Sequence, residues 1–99
     1  MSRFSAHAPA VAISLVEDDR IRVVRWDFEP GAETGWHTHG LAYVVVPITD
    51  LPMLVVDKEG ERRVDVARGA VYQREAGAEH NIVNDGRKPM SFIEIEFKR

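Results

Sequence analysis

The feature that most constrains the fold is a rhythm of short apolar runs with period two, punctuated by turn residues over all 99 positions. No stretch of helical length carries a 3.6-residue apolar repeat. The runs fall at residues 11–16, 21–28, 41–48, 51–56, 62–67, 71–74, 80–84 and 92–98. Between them lie acids, glycines and prolines, including Pro30-Gly31, the 58–60 turn, Arg68-Gly69 and Asp85-Gly86. Many short strands at this spacing predict an all-β domain built as a double-sheet jelly roll or small barrel.

Individual runs carry finer expectations. LAYVVVPI, at 41–48, is continuously apolar, which suits a strand near the sheet centre and covered on both faces. Pro47 should end it or place it at an edge, because proline donates nothing to a ladder. IRVVRWDF, at 21–28, shifts its apolar phase between Val23 and Val24; a bulge there would bring Trp26 and Phe28 to the core side with Ile21 and Val23. Residues 51–56 and 62–67 read as a hairpin. In the last run Ile93, Ile95 and Phe97 alternate with Glu94, Glu96 and Lys98, the pattern of a strand with one wet face.

The chemistry concentrates in two stretches. GAETGWHTHGLAY contains His37 and His39, which share one side of an extended segment because side chains alternate along a strand. GAVYQREAGAEHNIVN contains His80; of the four histidines only His7 lies elsewhere. Two imidazoles two residues apart need a further protein ligand to hold an ion, and His80 is the obvious donor. Imidazoles suit a divalent transition metal, whether iron, zinc, nickel, copper or manganese, better than magnesium or calcium.

These stretches resemble the two motifs of the cupin family. The first is glycine, five residues, His-x-His and, three or four residues on, glutamate; Gly31, His37 and His39 match it, but Tyr43 stands in the glutamate position. The second is glycine, five residues, proline, x, glycine, two residues, histidine, three residues and asparagine. Gly69, Gly77, His80 and Asn84 match it, with Glu75 in place of the proline. GWHTHGLAYVVVP and the ending FIEIEFK are similar, more narrowly, to small single-domain cupins that include a beta-alanine degradation protein. The resemblance implies a cupin-type double-stranded β-helix, a jelly-roll barrel, with a metal on His37, His39 and His80.

Three neutral imidazoles would leave the full +2 charge on such an ion, making it Lewis-acidic and attractive to anions. A substitute carboxylate is available from Glu33, Glu75 or Glu79, each read first as a surface acid. Tyr43 lies an even number of residues from both motif histidines and is the catalytic candidate, its neutral phenol placed to orient a bound ligand. Gln73 or Arg74 faces the cavity, depending on register. Trp26 and Trp36 read as core or pocket wall, Gly31, Gly69 and Gly77 as backbone-geometry positions, and Asn84 as a turn residue bonding locally.

Composition limits the remaining choices. At 44% hydrophobic content and a net charge of −3, the chain describes one domain over 11–99 preceded by an arm over 1–10. With no basic stripe or polybasic patch, neither nucleic acid nor membrane is expected as a partner. The start, interrupted by His7, Pro9 and Ser14, reads as neither signal peptide nor span. The absence of cysteine removes disulfides and thiolate ligands and suits the cytoplasm. The expected function is a metal-dependent enzyme, dioxygenase-like or isomerase/lyase-like, acting on a small anionic or carbonyl-containing molecule; the alternative is a non-catalytic metal or small-ligand binding module. The resemblance also implies a homodimer, with the 11–16 strand paired across subunits.

Overall fold

Turn chemistry divides the chain close to where the sequence predicts. The computed structural model describes residues 8–98, and among these no helix occurs. The strands are β1 (Val11–Glu17), β2 (Ile21–Phe28), β3 (His37–Thr38), β4 (Tyr43–Pro47), β5 (Leu51–Asp57), β6 (Gly60–Val66), β7 (Tyr72–Arg74), β8 (Glu79–Asn84) and β9 (Met90–Phe97). The β1–β2 turn is closed by the Asp18 carboxylate, which accepts from the Arg20 and Ile21 amides at 2.8 and 2.9 Å. β5 and β6 form the expected hairpin. Residues 1–7 of the expected arm lie outside the described residues. Ala10 donates its amide to the Glu33 carbonyl at 2.7 Å, and Glu33 donates to that of Ala8 at 2.9 Å.

Two antiparallel sheets face each other, with strand orders β1-β2-β9-β4-β7 and β3-β8-β5-β6. Phe28, Leu51, Met90, Val45 and Asn84 are fully enclosed between them. This is the double-stranded β-helix layout, and its inner faces supply both the core and the site. β4 lies between β9 and β7 and stops at Pro47 as expected. Its burial alternates, however: Tyr43, Val45 and Pro47 are buried, whereas Val44 and Val46 on the outer face are only half-buried.

Two face assignments differ from expectation. β2 pairs with β9 in unbroken register from Ile21↔Phe97 to Phe28↔Met90, so it contains no bulge. The irregularity is in β1, between Ser14 and Val16, opposite the Val23-Val24 phase shift. Trp26 and Phe28 therefore face inward with Arg22 and Val24, while Ile21 and Val23 face outward. In β9, Met90 and Phe92 are core residues, 1% and 4% exposed, and share their parity with Glu94 and Glu96. The two glutamates consequently point into the cup, and Ile93, Ile95 and Phe97 lie on the outside. Alternation alone distinguishes the two faces of a strand without saying which one is covered.

Candidate metal centre

β3 and β8 place the histidines. His37 is directly opposite His80 in the β3–β8 register. His39 follows two residues later; its amide donates to the Ala78 carbonyl at 2.8 Å, and its own carbonyl accepts from Gly77 at 2.7 Å. Gly77 makes this return with φ +105°, a backbone region disfavoured for residues with a Cβ. The two distant motifs are thus tied together by main-chain hydrogen bonds as well as by any shared ion.

The three rings converge through their Nε2 atoms. His39 Nε2 lies 3.0 Å from His37 Nε2 and 3.1 Å from His80 Nε2. The rings stand nearly perpendicular to one another, at 74° to 79°, with centroids 4.7 to 5.0 Å apart. One ring nitrogen offers either a proton or a lone pair, so His39 Nε2 cannot satisfy both neighbours by hydrogen bonding. A shared cation satisfies all three. Nitrogens at about 2.0 to 2.1 Å from one ion stand roughly 2.9 Å apart in octahedral and 3.4 Å apart in tetrahedral geometry. The observed separations fall between these limits, so the donor set fits a transition metal.

Neighbouring groups prepare the donors. His37 Nδ1 is 2.8 Å from the Gly35 carbonyl oxygen, which can only accept; the proton therefore sits on Nδ1 and the lone pair of Nε2 faces the centre. Gly35 adopts φ +86°, and its amide is held by Asn81 Oδ1 at 2.9 Å. Asn81 also donates from Nδ2 to Glu33 at 2.7 Å, locking the preceding loop onto β8. Burial, reinforced by neighbouring positive charge, lowers His39 and His80 to about 4, so both are neutral ligands at pH 7.

Tyr43 is 2% exposed and stacks on His39, with centroids 3.9 Å apart and planes inclined by 20°. Burial raises its hydroxyl to about 12, keeping it a neutral donor. Register resolves the choice on β7: Arg74 is opposite inward-facing Tyr43, whereas Gln73 is opposite Val44 on the outer face. Tyr43, Arg74 and His80 line a cavity of about 410 Å³ whose apolar wall includes Met53, Val55 and Ile82. A wider depression of about 600 Å³ lies at the Asp50, Arg68 and Arg87 end and contains no histidine.

The carboxylates at the centre come from β9. None of Glu33, Glu75 and Glu79 belongs to a metal-binding group with the histidines; Glu79 instead pairs with Lys58 at 2.6 Å. Glu94, Glu96 and His39 bring ligand atoms within 4.8 Å of one another. Glu96 is paired with Arg22 at 3.3 Å. Glu94 accepts a hydrogen bond from Trp26, and burial, followed by the Glu96 charge, raises its carboxyl to about 7. Two carboxyl groups therefore stand near the imidazoles despite Tyr43 occupying the motif's glutamate position, one paired with Arg22 and the other held toward its neutral form by burial. The signal for this was Phe92, whose parity with Glu94 and Glu96 points all three inward. Trp26 is pocket wall as expected, whereas Trp36 is 52% exposed and forms no core.

No protein-family model matches the chain. It is 43% identical over 94 residues to the beta-alanine degradation protein BauB of Pseudomonas aeruginosa, covering 95% of this chain and 99% of that protein. The crystal structure of a cupin domain from Bordetella pertussis superposes with a TM-score of 0.92 at 39% identity, over 95% of this chain and 98% of that one. A Klebsiella pneumoniae protein with a double-stranded β-helix domain superposes at TM-score 0.77 and 19% identity, over 94% and 80% of the two chains, and shares the fold. Motifs, strand order, converging histidines and these relatives agree: the chain belongs to the cupin family, as a homologue of BauB.

Proposed function

We propose that the chain is a metal-dependent enzyme that transforms a small anionic or carbonyl-containing metabolite at His37, His39 and His80. The observation that carries this reading is the meeting of three Nε2 atoms, with His80 also in the wall of the 410 Å³ cavity. A divalent transition ion, when bound, supplies a Lewis-acidic centre with open coordination positions. The chain's own residues do the rest. Gly35 fixes the His37 tautomer, and the Tyr43 ring holds the plane of His39 while its hydroxyl donates to a substrate oxygen. The free carboxyl oxygen of Glu94, whose orientation Trp26 sets, gives or takes a proton. The relative's role in beta-alanine degradation supports a short aliphatic substrate.

Both a dioxygenase and an isomerase or lyase fit this arrangement, and oxygen uptake separates them. Iron-loaded protein is assayed against a panel of β-dicarbonyls, thiols and short carboxylates. Uptake that depends on iron and substrate supports the dioxygenase; turnover without uptake supports the isomerase or lyase. An absence of turnover with every metal and substrate would leave a binding module. Cytoplasmic location belongs to the same reading, supported by a cysteine-free sequence; among the described residues no helix is long and apolar enough to cross a membrane.

We also propose a homodimer formed through the outer face of the five-stranded sheet. Ile13, Val23, Val44, Val46, Ile93 and Ile95 share that face by register, and among the described residues no further layer covers it. β1 is exposed along its whole length and, among the described residues, leaves one edge unpaired.

A further inference from the structure

We propose that Arg74 is a carboxylate anchor, and that the cavity takes a short aliphatic carboxylate whose far end reaches the histidines. This inference rests on reading the cavity as the substrate site and adds its selectivity. Arg74 is on the inward face of the edge strand β7, opposite Tyr43, and lines the cavity together with His80. Among the described residues it has no ion-pair or hydrogen-bond partner for its side chain.

The second cation of the cavity, Arg62, is already occupied by Asp57. Arg74 therefore supplies an unmatched charge and a planar set of donors beside a largely apolar wall. A guanidinium so placed favours a carboxylate, which it can bind through two parallel hydrogen bonds. Met53, Val55, Val64 and Ile82 offer an aliphatic chain its contact surface. The volume of about 410 Å³ equals that of roughly a dozen waters, which limits the ligand to a small molecule. A phosphate dianion would need several donors, and with Arg62 engaged the cavity has one free guanidinium.

The test measures calorimetric binding of straight-chain carboxylates from propanoate to hexanoate, their primary amides and inorganic phosphate to zinc-loaded protein. The parent should prefer each carboxylate to its amide by on the order of tenfold. Arg74→Met should erase that preference, and Arg74→Lys should keep part of it, since it retains charge without the fork. Melting curves confirm that both variants fold, and elemental analysis confirms that they hold zinc as the parent does. Equal binding of acid and amide by the parent, an undiminished preference in Arg74→Met, or tighter binding of phosphate would each overturn the assignment. Were the parent to bind no metal yet show an Arg74-dependent preference, the metal-dependent reading would fall while the anchor stood.

Discussion

Each ring nitrogen at the centre has a local cause: the Gly35 carbonyl orients His37, Tyr43 stacks on His39, and β-pairing sets His80 against His37. Replacing His80 by alanine removes one of three donors, and two imidazoles hold an ion far less well. Elemental analysis of the purified variant should find metal well below the parent's level; an unchanged content would show that the three rings do not form the site. Glu94 gives a second prediction with a definite sign. In the metal-free folded chain it keeps its proton up to about pH 7, whereas the unfolded chain releases it near 4.5. Folding is therefore penalised increasingly between those values and by a constant amount above them, about 3 kcal/mol or slightly more. Glu94→Gln keeps the acceptor for Trp26 and should raise the melting temperature at pH 8 but leave it nearly unchanged at pH 4. Equal effects at both pH values would mean that the carboxyl is not held protonated.

At the scale of elements, the strands and turns were legible because glycine, proline and acids interrupt every apolar run. His37 and His39 were legible because their spacing follows strand parity, and His80 because it holds the histidine position of the second motif. The inner and outer faces were not. In β9 the FIEIEF alternation fits either assignment, and only the packing of Met90 and Phe92 against Phe28 and Leu51 turns Glu94 and Glu96 into the cup. Likewise the Val23-Val24 phase shift reads in sequence as a bulge in β2, yet β2 pairs without interruption: Ile21 and Val23 lie on the outer face and Val24, Trp26 and Phe28 on the inner, and the irregularity sits in β1 at the edge of the sheet. Asn84 is the element-scale residue whose role exceeds its sequence signal. Its side chain donates to the Phe28 and Lys88 carbonyls at 3.2 and 2.9 Å and accepts from Gly86 at 3.0 Å, tying the β8–β9 turn to the end of β2. Asn84→Ala should lower stability by about 2 to 4 kcal/mol in urea unfolding, because it strands buried polar groups. A loss below about 0.5 kcal/mol would assign the turn's stability to its backbone alone.

For the whole molecule, the two sheets spend their inner faces on each other, so among the described residues nothing is left to cover an apolar outer face. The 41–48 run reads in sequence as a strand covered on both sides, yet Val44 and Val46 are only half-buried and Val11 and Ile13 are 56% and 41% exposed. Burying such a face against its copy offsets the entropy of association through the same apolar transfer that holds the core together. A two-fold contact between identical outer faces would also cover β1, the exposed edge. Light scattering should therefore give twice the chain mass of 11.2 kDa. Lysine at both Val11 and Ile13 should give a monomer with parent-like circular dichroism, since both side chains are already solvated in the single chain and their replacement costs the protomer fold little. A parent of monomeric mass would rule the dimer out, and a dimer indifferent to both lysines would place the contact elsewhere; either leaves this face as ordinary exposed surface.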